Sequence, residues 1–291
     1  MQQNLRSNFI AALSAVFLLS VPPSAVHAGP LFLTGHDPDF HSQPGLGSGG
    51  SLLSKALSFV TGGTFNDGLS ATKFLWVESA IAAPGGHVKG YNSLAGVGAT
   101  LGSDYDIVNA AGFATANLAN YNAIAIASSF GGTLTRAELD ALIARKTDIA
   151  NFINAGGGLF ASAECFPCGA NLLGSGTGLF GYLPIIVTSI GANEPFTPTP
   201  FGTSLGLAFG DLNDPTHNSF GLVGGLNVVD TDAAGNATTL AGNVRIDGGV
   251  ITPSIPEPET YAMLLAGLGL IGFAARRRKQ LAVQSGANAL T

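Results

Sequence analysis

"YNAIAIASSFGGTLTRAELDALIARKTDIANFINAGGGLFASAE", residues 121–164, carries the fold in one unit. Asn122 to Ser128 is an apolar run of strand length, and Gly131-Gly132 makes a turn after it. Thr135 and Glu138 have the spacing of a capping box, in which the threonine side chain takes a first-turn N–H and the glutamate reaches back. From there to Asn154 the residues Leu139, Leu142, Ile143, Ile149, Ala150 and Ile153 fall on one helical face. Ala155-Gly156-Gly157-Gly158 stops the helix, and Leu159 to Ala163 is the next strand. Strand, helix of about 20 residues and strand make a βαβ unit, whose strands run parallel and whose crossover is right-handed. Such a sheet needs helices on both faces, so the expected body is an α/β three-layer sandwich with a mostly parallel sheet.

Working outward, Leu31 to Thr34 reads as a buried strand ending in the polar loop Gly35 to His41. A Gly/Ser-rich connection from Pro44 to Gly50 follows. Ser51 to Val60 has helical spacing with Ser51 as a cap, and Lys73 to Val77 is a second strand. Tyr91 to Leu101 has no decisive period and reads as loop. Past Gly174 the chain turns Gly- and Pro-rich, with strands expected at Ile185–Ile190, Leu205–Phe209, Leu226–Val229 and Thr238–Ile246, giving a β-rich C-terminal part. Pro195 to Pro200 reads as loop, and no repeat of fixed period is present.

The 291 residues are 10% charged and contain 41 glycines, so the surface relies on Ser, Thr, Asn and main chain rather than ion pairs. Without residues 1–28 and 256–291 the balance is seven basic against sixteen acidic side chains, a formal net charge of −9. That excludes nucleic-acid binding through phosphates, which needs clustered Lys and Arg. Cys165 and Cys168 share one Cys-Phe-Pro-Cys stretch. Outside the cytosol they can form a local disulfide; free or metal-bound thiols and a redox role are the alternatives.

The stretch 121–164 resembles the class I glutamine amidotransferase-like fold, in its trehalose-utilisation-like branch, which makes the expected architecture flavodoxin-like. The resemblance covers residues 31 to 230 in outline and 121 to 166 specifically. It implies a nucleophile at Ala163, with Glu164 and Cys165 immediately after. Alanine cannot attack, so either the chemistry is absent or the elbow is shifted to Cys165. Ligands in open α/β sheets bind at the carboxyl ends of the strands. There the chain has His36, Asp37, Asp39 and His41 after the first strand and Glu164 after the Gly-Gly-Gly strand. The strand expected at Leu205–Phe209 brings His217 and its acidic neighbours alongside them. His36, Asp37, Asp39, His41 and His217 are candidate ligands for a divalent metal, and Glu164, His217 and Cys165 are candidate catalytic groups. The bland alternative makes Asp37 and Asp39 turn-formers around Pro38.

Both ends carry addresses. Arg6, the apolar run Phe9 to Val21 and Ala25-Val26-His27-Ala28 have the secretory signal pattern, with signal peptidase expected to cut after Ala28. At the other end Tyr261 to Ala275 is uncharged, between Glu257 and Glu259 on one side and Arg276, Arg277, Arg278 and Lys279 on the other. As a helix it covers about 22 Å, short of the roughly 30 Å hydrocarbon core, and the basic cluster fixes the body outside. A plain stop-transfer anchor is one reading. The order Pro256-Glu257-Pro258, short apolar helix, Arg cluster resembles the PEP-CTERM sorting signal of Gram-negative bacteria, which implies processing by a membrane-embedded exosortase. The expected organisation is signal peptide 1–28, body 29–253, sorting signal with a short transmembrane helix 254–279 and cytoplasmic tail 280–291. The resemblance implies an inner-membrane precursor tethered by that helix, then a cell-surface or extracellular, biofilm-matrix product with exopolysaccharide as a partner. A non-catalytic surface component and a secreted hydrolase using His36, Asp37, Glu164 and His217 are the two functions left open.

Overall fold

The computed structural model describes residues 28–41, 49–66, 68, 73–79, 90–129, 133–164, 179–212, 218–253, 265–273 and 276. In chain order the elements are β1 (Gly29–Thr34), α1 (Pro38–His41), α2 (Gly49–Thr61), β2 (Phe74–Val77), α3 (Gly90–Gly96), β3 (Tyr105–Val108), α4 (Ala110–Thr115), β4 (Ala123–Ile126), α5 (Arg136–Ala144), α6 (Lys146–Asn154) and β5 (Gly158–Ala161). Then follow β6 (Ser189–Ile190), β7 (Thr197–Pro198), α7 (Pro200–Ser204), β8 (Ser219–Phe220), β9 (Asn227–Thr231), β10 (Ala237–Asp247) and β11 (Val250–Pro253).

Short runs of Val, Ile, Leu, Phe and Ala with no polar alternation demand burial on both sides. β2, β4 and β5 are buried at every residue. Leu31, Leu33, Leu75, Val77, Ile124, Ile126, Leu159 and Ala161 form one core with Leu139 and Leu142 of α5 and Ile149 and Ile153 of α6. Phe32, Phe74, Trp76, Ala125 and Phe160 point the other way, to Leu52, Leu53, Ala56, Leu57 and Val60 of α2. Contact on that side is close: a Cβ at Gly158 would lie 1.9 Å from the Val60 carbonyl oxygen.

The strand order is β3-β2-β4-β5-β1-β10-β8-β6, with β9 and β11 also on β10 and β7 on β9. β1 to β5 are mutually parallel. From β10 onward every pairing is antiparallel. The sheet is therefore mixed rather than mostly parallel. The β-rich second half adds its strands to the same sheet because β10 lies along the whole of β1, from Gly29↔Val244 to Thr34↔Thr239.

The single helix expected from Thr135 to Asn154 is two. Thr135 and Glu138 form the capping box, but Arg145 leaves helical geometry at φ −105°, ψ 19°. Its Nη1 donates to the carbonyls of Phe113 and Ala116 at 2.8 Å, and its guanidinium lies 5.2 Å from the Phe113 ring centroid. These carbonyls stand at the end of α4, where a helix leaves its last acceptors unmatched, and that of Phe113 also takes the Ala116 N–H. Replacing Arg145 with alanine is expected to cost about 2 kcal/mol, the worth of charge-assisted hydrogen bonds, read as a lower denaturation midpoint with unchanged slope.

Other expectations need correction. Leu205–Phe209 is not a strand: Thr199 accepts the Gly202 N–H, Pro200 opens α7, and Gly206 at φ +85° precedes a 3₁₀ turn over Phe209–Leu212. Helix formation there follows from a cap and an N1 proline. Of Ile185–Ile190 only Ser189–Ile190 is strand. Gly90–Gly96, inside the expected loop, is helical, and α2 starts at Gly49, which puts Ser51 in its first turn rather than at the cap. β3 and α4 have no counterpart in the sequence reading.

By contact the chain divides into two units, His27–Ser254 and a second made of Met1–Val26 with Ile255–Thr291. In the second, residues 265–273 are helical, with Leu265, Leu268, Leu270, Ile271 and Phe273 exposed. Among the described residues no helix is long and apolar enough to cross a membrane. The transmembrane helix expected there is thus not found among the described residues.

Candidate functional site

The parallel strands end at one edge of the sheet, and the ladder runs one residue past them. Glu78 donates its N–H to Val108, Ala127 to Val77, Ser162 to Ile126 and Ala163 to His36. Every group that follows is therefore fixed by main-chain bonds.

Five carboxylates gather there, Asp37, Asp39, Glu78, Glu164 and Asp230, each at most 1% exposed. His36 Nε2 lies 2.7 Å from Asp230 Oδ2, and the ring meets Phe196 edge-on at 5.0 Å. Asp37 accepts the N–H groups of Phe40 and His41 through its carbonyl and faces His41 Nε2 at 3.6 Å. Asp39 Oδ2 accepts the Ser128 N–H at 2.8 Å, while its carbonyl accepts the Ser93 hydroxyl, so one residue joins α1, α3 and the end of β4. Glu78 Oε2 accepts the Trp76 indole N–H at 2.8 Å. Glu164 Oε2 accepts the Phe180 N–H at 2.9 Å with the Tyr182 hydroxyl beside it.

Burying a carboxylate without a cation favours its neutral form. Burial first, and the charge of Asp37 second, push Asp39 up to about 7. Burial likewise pushes Glu164 up to about 7, and burial and then Glu164 hold the Tyr182 phenol well above its usual range. Asp232, near the β9–β10 turn, goes the other way. Burial opposes its ionisation, but hydrogen bonds from Asn236, Ser219 and Asn193 outweigh that and hold it below the ordinary aspartate value. The ion pairs Lys73–Asp106, Arg136–Asp140, Arg145–Asp148 and Arg245–Asp247 all lie outside this edge group.

Of the residues singled out in the sequence, the structure brings His36, Asp37, Asp39, His41 and Glu164 to this edge. Among the described residues no three of His, Cys, Asp and Glu stand close enough together to hold a metal ion. His217, Cys165 and Cys168 lie outside the described residues, as do Pro256, Glu257, Pro258, Arg277 and Arg278; Arg276 is helical. The argument that puts His217 at this edge depends on a strand at Leu205–Phe209, where the chain instead turns after α7 and enters a 3₁₀ turn. Sequence reasoning missed Glu78, Ser128, Ser162, Tyr182 and Asp230. Glu78 was within reach, as the first residue after the strand ending at Val77.

Comparison with known proteins bears on the tail. Residues 254–279 match the PEP-CTERM protein-sorting motif. No curated protein and no solved structure matches the chain. The chain thus carries the signal of an exported protein that exosortase processes, anchored at the membrane before cleavage and at the cell surface afterwards.

Proposed function

We propose that the body is a non-enzymatic surface component, built on a flavodoxin-like plan of amidotransferase-like ancestry and delivered by exosortase after signal peptidase removes residues 1–28. The observation that carries this is Ala163. It sits at the carboxyl end of β5, 1% exposed, with its N–H on the His36 carbonyl and its carbonyl taking the Ser129 N–H. The position where the ancestral fold would present a nucleophile is thus an alanine locked between two neighbouring chain segments. The plan is supported by the five mutually parallel strands with helices on them, although their order counted along the chain, β3-β2-β4-β5-β1, departs from the 2-1-3-4-5 of a flavodoxin-like sheet. Exopolysaccharide of a biofilm matrix is the partner this reading assigns.

The rival is a secreted hydrolase using His36, Asp37, Glu164 and His217, favoured by the two carboxyls poised near neutrality. Assay of the purified chain on ester, amide and glycoside substrates separates them. No turnover above the uncatalysed rate is expected. Turnover that disappears in Glu164→Gln overturns the non-enzymatic reading.

A further inference from the structure

Register places polar residues from four of five adjacent strands in a row. Val77, Ile126, Ala161 and Leu33 are level with one another, and Thr34 pairs with Thr239. The next residues along β2, β4, β5 and β1 are Glu78, Ala127, Ser162 and Thr34. Side chains alternate along a strand, so this row faces the side of Trp76 and Phe160, away from Val77 and Leu33. Thr34 and Thr239 join their hydroxyls at 2.9 Å. His36 and Asp230 stand at the β1 end of the row, 2.7 Å apart.

Ser162 Oγ is the anomaly in this row. The residue is 1% exposed, and its hydroxyl has no hydrogen-bond partner; nor do Asp39 Oδ1 and Asp230 Oδ1 at the same edge of the sheet. Leaving such groups unpaired in a dry interior costs about 1–3 kcal/mol each. Between Glu78 and Ser162 the register places Ala127, whose methyl offers neither of them a polar partner.

We propose that this row binds a small hydroxyl-rich molecule, a sugar unit or cyclic polyol, held by Glu78, Ser162 and the free oxygens of Asp39 and Asp230. The donor set selects the class. Carboxylate oxygens accept and a serine hydroxyl both accepts and donates, so the complement is a ligand with several O–H groups. Phosphate or another anion would face the carboxylates of Asp39, Asp230 and Glu78, and among the described residues the Lys and Arg ion pairs lie elsewhere. A metal would need three converging ligands, which the described residues do not provide. Apolar walls with a few placed polar groups, at the carboxyl ends of parallel strands, are where α/β sheets take small ligands.

Trp76 is the only tryptophan of the chain and donates to Glu78, so its emission reports directly on the row. The test titrates the full chain, purified in a sugar-free detergent, with glucose, galactose, mannose, N-acetylglucosamine and myo-inositol, and with inorganic phosphate as the anionic control. A saturable change in Trp76 emission is expected with at least one hydroxyl-rich probe and none with phosphate. The midpoint should rise about tenfold in Ser162→Ala and in Glu78→Gln, the loss of one good hydrogen bond. Ser162→Ala deletes a hydroxyl that has no partner, so the variant folds and decides the matter even if Glu78→Gln does not. Silence with all five hydroxyl-rich probes, a saturable response to phosphate, or an unchanged midpoint in Ser162→Ala overturns the proposal.

Discussion

The chain is expected to be more stable in mild acid than at neutral pH, losing stability steadily as pH rises from about 4 to about 7. Asp39 and Glu164 have ordinary values of 3.8 and 4.5 and are each raised to about 7 in the folded protein. A folded state that holds its proton more tightly than the unfolded state is favoured while both are protonated and penalised once the unfolded chain has ionised. The contribution is thus fully present below the unfolded values and gone above about 7. Each pH unit in that window costs about 1.4 kcal/mol per group, on the order of 3 kcal/mol for each carboxyl across it. Two such groups weigh heavily against a typical total of about 5–15 kcal/mol. Asp232, whose carboxyl is lowered, has the opposite sign and acts only below the ordinary aspartate range, where it takes stability away. Urea unfolding at closely spaced pH values measures the slope. Asp39→Asn keeps an acceptor for the Ser128 N–H, and Glu164→Gln keeps one for the Phe180 N–H, so both should flatten the curve and exceed the parent at pH 7.5. A parent curve that is level or rising between pH 4 and 7 would sink the idea that these carboxyls fold uncharged.

The elements legible in the sequence were those whose signal is local. The βαβ unit at 121–164 announced itself through a cap, a helical stripe and a glycine stop, and β1, β9 and β10 through apolar runs. The break at Arg145 was not legible, because Leu142 and Ile149 keep the same face across it while the cause, the carbonyls of Phe113 and Ala116, comes from another helix. Leu205–Phe209 reads as a strand only while the helix that Thr199 and Pro200 start just before it is left out of account. The same division runs through the site. His36, Asp39 and Glu164 follow once parallel strands are recognised, since their carboxyl ends must share an edge. Asp230 does not, because it reaches His36 across 194 residues through the β9–β10 register, and two irregular steps in that pairing decide where it lands.

Replacing Pro256, Glu257 and Pro258 together by alanine should stop maturation outright. Within the PEP-CTERM match over residues 254–279, those three residues are expected to be the recognition element and the segment after them the temporary anchor. Residues 265–273 present Leu265, Leu268, Leu270, Ile271 and Phe273 outward, a surface that water does not tolerate but lipid does. Arg276 to Lys279 behind it are expected to stay on the cytoplasmic side, by the preference of basic residues for that face. In a host with its exosortase, the parent chain should appear at the cell surface at reduced mass, while the triple variant stays at precursor mass in the membrane fraction. Arg276, Arg277 and Arg278 changed to glutamate should act at an earlier step, weakening retention of the precursor. The two variants therefore fail differently, one as uncut membrane-bound chain and the other as uncut chain lost from the membrane. Mature chain at parental levels in the triple alanine variant would show that the tail is a plain anchor and the export route an ordinary one.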